Sequence, residues 1–428
     1  VDFGNEFFKS TLVKPGYPFT IVENTSSKRK TPTALTFTDE QRVYGLDAIM
    51  QSSSNPKNTF LFVRDLLGME YNDENLEFLR KELYNFNDLV KDDRGYVAFK
   101  VELEDAGNKK TFIFTVEEIL AMILAHAREL AEIQSKGSVK NVYLTVPSSF
   151  TMNQRRMLND AAELADLICI GMIEENSAAA ISYGLDRLDE NETHSVLFLN
   201  LGSSDFETTV ANFYARKNNY TDKHGNTRVG DLTENIEIIA QASTPKVSGR
   251  KFDFELLNIL AEYFNSLKSR EGKSDIRENP RIVNRLLKQI PKLKETLSAN
   301  KEKIINIPEV ADYENLKMTL TRDEFENKIE KYMKYLEETI QNVLDQAKIK
   351  IEDLSEVEII GGALRVPKVK ERISKILNEK SLGTHINGDE AMTFGAAFLG
   401  ANSSSSFIAR KLLFYRYLDE PIRLNIKS

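Results

Sequence analysis

Apolar and polar positions alternate in short runs through roughly the first fifty residues. VDFGNEFFKSTLV, PFTIVEN, TALTFT and RVYG each read as strand, with Pro15-Gly16 as a turn, so the chain is expected to open on a β-meander before helical periodicity takes over. Over 116–136 the spacing becomes helical. Ile119, Met122, Ile123, Leu130 and Ile133 share one side, Thr115 and Glu118 form a capping box, and Gly137 is the stop. Strand VYLTV, a helix from Thr151 capped through Gln154, strand LICIGMI and a helix opening near Asn176 and Ser177 predict a β-α-β-α unit over 140–186. Long amphipathic helices are expected over about 249–268, 280–303 and 322–348, the last opened by Thr321 and Glu324. Strand VEII, Gly361-Gly362, a helix through KVKERISKIL and a final helix from about Asp389 to Gly400 follow.

One pattern occurs twice. VDFGNEFFKSTLV lies over LNLGSSDFETTVA with Asp2 on Asn200, Gly4 on Gly202, Phe7 on Asp205 and Val13 on Ala211, which suggests a duplicated lobe. Each copy runs from an apolar strand through glycine into a polar second strand. Glycine leaves backbone N–H groups exposed and lets an anion approach closely, so two such hairpins facing one another would clamp a polyphosphate. A third glycine turn stands at IIGG. Either hairpin alone reads more readily as an ordinary β-turn; the pair, together with the IIGG turn, carries more weight.

Composition narrows the partners. A chain of 428 residues is too long for one simple core, so two or more substructures are expected, each with its own apolar centre. Sixty-five acidic against 57 basic residues give a net charge of −8, the wrong sign for a nucleic-acid binder. No apolar run approaches the ~20 residues that span a bilayer, and the chain opens directly on a strand without a signal-like segment, so neither nucleic acid nor membrane is expected as a partner. Cys169, the one cysteine, reads as a core thiol and excludes an internal disulfide. His126, His194, His224 and His385 show no ligand spacing, which argues against a histidine metal centre.

The order of VDFG, LTVPSSF, EENSAAAISYGLD, LNLG, EIIGGALRVPKV and NGDEAMTFGAAFLGA resembles the nucleotide-binding domain of the heat shock protein 70 superfamily, which has the actin/hexokinase-like (ribonuclease-H-like) duplicated two-lobe α/β ATPase fold. RKTPT, NPKNTFLFVRDLLG, DIRENPR, ETLSAN and LTRDEFE are similar to its large endoplasmic-reticulum branch, and the resemblance covers residues 1 to about 405. It implies lobe I over 1–187, lobe II over 188–385, a return helix to lobe I over 386–402, and over 403–428 a linker with the first strand of a substrate-binding domain absent from this chain. It further implies a chaperone of the endoplasmic reticulum lumen that acts as nucleotide exchange factor for a conventional luminal chaperone of the same family, with unfolded clients bound through the absent C-terminal region.

By position, the resemblance places Gly4, Asn5, Glu6 and Phe7 on a first phosphate loop and Gly202, Ser203, Ser204 and Asp205 on a second. Lys294 and Ser298 fall on a helix face against adenosine, Gly361, Gly362 and Arg365 opposite, and Asp389 near the ribose. Conventional members carry carboxylates at Asp2, Glu175 and Asn200 and a lysine at Arg64, a set that positions magnesium and the attacking water. Here position 200 is an amide and position 64 a planar guanidinium. A glycine triplet and threonine have become Gly202-Ser203-Ser204 and Asp205, which adds Cβ atoms and a carboxylate to the nest, while VSGR keeps only Gly249 of another glycine turn, with Arg250 as a compensating charge. ATP or ADP is the implied cofactor, with magnesium at a weakened site, in a degenerate ATPase of slow or absent hydrolysis. An active ATP-hydrolysing chaperone and a nucleotide-free scaffold stay open as alternatives.

Overall fold

The computed structural model describes residues 1–105, 108–185, 187, 192–221, 225, 227–403 and 412–417. Strand Asp2–Phe3 pairs antiparallel with Phe7–Lys9, which continues to Thr31–Pro32. The Val1 carbonyl accepts from the Thr145 N–H at 3.0 Å, so this hairpin lies beside the parallel pair Asn141–Val146 and Ile168–Glu174. With the helices Met152–Leu164 and Glu175–Gly184 these strands build the expected β-α-β-α unit.

Helical periodicity does not take over after the meander. Between it and residue 116 the described α-helices are Gly45–Gln51 and Asp73–Lys81, and a three-stranded antiparallel sheet of Asp88–Lys91, Val97–Asp105 and Asn108–Thr115 follows. The signal lay in VAFKVELE, where Val97, Phe99 and Val101 alternate into the core. The helix Val116–Ser135 has both bonds of its Thr115/Glu118 capping box and ends on left-handed Lys136, next to Gly137. Ile119, Ile123 and Leu130 are buried as the spacing predicts, but Ile133 is exposed.

The second half is built on a five-stranded sheet ordered Glu356–Ile360, His194–Leu201, Phe206–Thr221, Thr227–Thr244 and Leu412–Tyr415. Its first hairpin repeats the register of the chain's opening: Asp2 faces Lys9 and Phe3 faces Phe8, as Asn200 faces Glu207 and Leu201 faces Phe206. Helix Gly249–Asn265 is capped by Ser248. The helix expected over 280–303 is two, Pro280–Leu287 and Ile290–Ala299, because Pro291 lacks the N–H a continuous helix needs. Residues Glu302–Ala311 instead form a hairpin with Glu314–Thr321. The third long helix is likewise divided, into Arg322–Ile329 and Met333–Ala347 with a 3₁₀ turn between.

Among the described residues three apolar clusters make the core. One belongs to residues 3–167, one to the second half, and a third joins helix Glu175–Gly184, strands of the five-stranded sheet and helix Ala391–Asn402. The last helix starts after Asp389 and crosses helix Glu175–Gly184 so closely that a Cβ on Gly395 would stand 1.8 Å from the Ala178 carbonyl oxygen. Strand Leu412–Tyr415 extends the sheet in parallel beside Glu234–Glu237. The rest of the stretch read as linker and strand, 404–411 and 418–428, lies outside the described residues, as does His224.

Candidate nucleotide cleft

Between the two halves lies a cleft of about 380 Å³. It is lined by the residues that the resemblance places on the phosphate loops, the catalytic set and the adenosine wall: Asp2, Gly4 to Phe7, Arg64, Glu175, Asn200, Gly202 to Asp205, Lys294, Ser298, Gly361, Gly362, Arg365 and Asp389. The hairpin turns are tightly built. A Cβ on Gly4 would meet the Phe7 carbonyl oxygen at 2.4 Å, whereas Gly202 has nothing nearer than 3.8 Å. Asn5 Nδ2 donates to Ser204 Oγ at 2.8 Å, so the two loops touch across the floor, and buried Asn5 Oδ1 has no hydrogen-bond partner among the described residues. Gly249 and Arg250 donate their N–H groups to the carbonyls of Gly202 and Ser203 at 2.8 and 3.1 Å, which fixes the second loop on a helix N-terminus.

The opposite wall is built from a glycine turn and one helix face. Gly361 has φ +91° and would place a Cβ 2.4 Å from the Leu201 carbonyl oxygen, while the Cα of Gly362 faces open space. Lys294 Nζ pairs with Asp253 at 2.7 Å, Ser298 Oγ donates to the Lys294 carbonyl at 2.8 Å, and Arg365 reaches Asp389 at 3.4 Å. Arg250 is not among the residues that line the cleft. It pairs with Asp65 at 2.7 Å and stacks 4.6 Å from the Phe62 ring, latching the second half to the first.

The acidic groups are where the site departs from a phosphoryl-transfer centre. Asp2 receives Lys9 Nζ at 2.6 Å and Thr145 Oγ1 at 2.9 Å. Burial pushes its carboxyl up, but Lys9, Thr145 and Arg64 outweigh burial and hold it below the usual range. Glu175 is bound by Arg64 at 2.7 Å, which also donates to the Phe3 carbonyl at 2.8 Å, and by Asn200 Nδ2 at 3.4 Å. Burial, then the charge of Glu175, pushes Asp205 up to about 7, so its carboxylate carries only part of a charge near neutrality. Glu207, cross-strand from Asn200, is driven well above its ordinary value, first by burial and then by Asp205 and Glu175; one oxygen accepts from Ser148 and the other is unpartnered. Burial also raises Glu6 in the first loop.

Sequence reasoning missed Lys9, Lys30 and Gly388, which also line the cleft. The repeat held the signal for Lys9, since its register sets position 9 opposite position 2. Histidine spacing also hid one cluster. His385 meets Glu356 and Glu358 on the edge strand of the second half, with ligand atoms within 4.8 Å of one another. Cys169 is half-buried rather than fully in the core, and its thiol is pushed up by burial.

A cleft closed by two register-matched glycine hairpins between duplicated α/β lobes defines a class of nucleotide-binding proteins. The family model described as Hsp70 protein matches residues 1–415, and the chain belongs to the Hsp70 family, with its duplicated actin/hexokinase-like fold. Among individual proteins, it is 33% identical over 410 residues to Hypoxia up-regulated protein 1 of Xenopus tropicalis, covering 95% of this chain and 61% of that protein. Against the proteins of that name from Mus musculus and Homo sapiens it is 31% and 30% identical over 427 and 409 residues, 98% and 95% of this chain but 41% and 39% of theirs. The chain thus spans roughly two fifths to three fifths of these relatives.

The family binds nucleotide with magnesium. The first glycine hairpin and the open glycine turn at Gly361-Gly362 leave room for a nucleotide. The magnesium position fits poorly: Asp2 and Glu175 each already hold a cation of this chain, and position 200 offers an amide.

Proposed function

We propose that this chain is the nucleotide-binding lobe pair of an atypical chaperone of the endoplasmic reticulum lumen. It binds ATP or ADP, hydrolyses ATP slowly or not at all, and serves as nucleotide exchange factor for a conventional luminal chaperone of the same family, with clients held by a region beyond this chain. The observation that carries the reading is the contrast within one cleft. The nucleoside wall and the first glycine hairpin are kept, while Asp2 and Glu175 are ion-paired and Asn200 replaces the third carboxylate. With Asp2 and Glu175 ion-paired and the third carboxylate of that set replaced by Asn200, phosphoryl transfer loses a term typically worth 10²- to 10⁴-fold in rate. Nucleotide contacts distant from that set stay in place.

Exchange activity requires preferential affinity for the partner's open cleft, since equal binding to both forms shifts nothing. Placement in the lumen rests on the motif resemblance of RKTPT, DIRENPR and LTRDEFE. The experiment is to add this protein to a conventional luminal family member preloaded with labelled ADP. Accelerated label release is expected; release at the spontaneous rate, from this chain and from the full-length protein alike, would overturn the exchange reading.

A further inference from the structure

The carboxylates of the cleft are paired in a way that bears on which form of nucleotide it takes. Lys9 stands directly cross-strand from Asp2, and its Nζ lies 2.6 Å from Asp2 Oδ2 with both side chains largely buried, 14% and 3% exposed. The second Asp2 oxygen accepts from Thr145. An ammonium has three donors, and Asp2 takes one, so Lys9 retains two at the cleft lining beside the first glycine hairpin. On the other side Arg64, 3% exposed, holds Glu175 at 2.7 Å. A divalent cation bound here would lie beside two buried unit charges of its own sign and would find Asp2 and Glu175 each already paired to one, while Asp205, which has no ion pair among the described residues, has its charge suppressed first by burial. Magnesium also keeps several waters and needs acceptors oriented towards them; Asn200 directs its Nδ2 donor at Glu175 instead.

Resting on the nucleotide-binding reading above, we infer that this protein takes adenine nucleotide without a divalent metal, the Lys9 ammonium supplying at the phosphates the positive charge that magnesium supplies elsewhere in the family. The substrate class is the metal-free nucleoside di- or triphosphate. Lys9 is a binding residue in this scheme, and Asp2 a positioning residue that holds its ammonium at the floor of the cleft. The charge balance agrees: where a divalent ion and a lysine face three acidic positions, here Lys9 and Arg64 face two carboxylates and an amide.

Calorimetric titration of the protein with ADP, in excess magnesium and in excess EDTA, tests the inference. Dissociation constants within about threefold of each other are expected; ADP binding more than about threefold tighter with magnesium overturns the inference and leaves nucleotide binding standing. No binding in either buffer overturns both. Lys9→Gln removes the ammonium and frees Asp2, and is expected to weaken binding in EDTA by about tenfold or more while making it magnesium-dependent. Lys9→Arg keeps the charge and is expected to stay insensitive to magnesium. If Lys9→Gln folds, as judged by its melting transition, and binds ADP as wild type does in both buffers, the role of Lys9 is refuted. Should Lys9→Gln fail to fold, the comparison of wild type in the two buffers decides the matter alone.

Discussion

Replacing Asp205 by Asn should flatten part of the pH dependence of stability. Asp205 is buried behind the second glycine loop, with Glu175 and Asp65 as like charges and Arg64 as the opposing one. Its carboxyl moves from an ordinary 3.8 to about 7. The folded state therefore holds this proton more tightly than the unfolded state. Below the unfolded value both states are protonated and the group is neutral in effect. As pH rises towards the folded value the unfolded chain ionises first, and stability falls until the folded carboxyl ionises too. Between about pH 5 and about pH 8 this amounts to a loss of roughly 2–3 kcal/mol, which Asp205→Asn cannot suffer. Urea unfolding of wild type and variant across that range gives the measurement. Glu207 shares the cluster and titrates in the same direction, so the difference between the two curves is what counts. A difference independent of pH, or wild type gaining on the variant as pH rises, would refute the placement of Asp205 as a buried, proton-holding carboxyl.

Gly361 and Gly362 are adjacent but should respond in opposite ways. Gly361→Ala meets the Leu201 carbonyl oxygen at 2.4 Å in a left-handed backbone and should lower stability by about 1–3 kcal/mol by thermal or urea unfolding, whereas Gly362→Ala enters open space and should leave stability unchanged within about 0.5 kcal/mol. Asn200→Asp should not restore ATP turnover, because Lys9 and Arg64 still hold the other two carboxylates and Asp205 remains; a single-turnover phosphate-release rate equal to that of a conventional family member would contradict this.

What the sequence revealed followed the range of its signals. The capping boxes at Thr115, Thr151 and Thr321 are local hydrogen-bond devices spanning three residues, and all three form. The two hairpins were legible because Gly4 and Gly202 hold equivalent places in a repeat, and the repeat carried the pairing register with it. The cleft assembled from motifs that lie far apart in the chain, which composition and periodicity could not join and family resemblance could. The hairpin Glu302–Ala311 and Glu314–Thr321 escaped because only one face is buried: Ile305 and Ile307 point inward on either side of exposed Asn306, Ile304 is exposed, and Pro308 interrupts the alternation. Lys9 escaped for another reason. A single lysine on a short strand reads as a solvent-facing residue, and only its pairing across to Asp2 shows where the charge lies.

The proposal that this cleft still holds nucleotide but no longer performs phosphoryl transfer is tested most directly by pairing calorimetric titration of ATP and ADP with single-turnover phosphate release on the same preparation. Saturable binding of both nucleotides is expected, with phosphate release at least ~10²-fold slower than in a conventional family member. Absence of binding, or release as fast as that of the conventional relative, would contradict it.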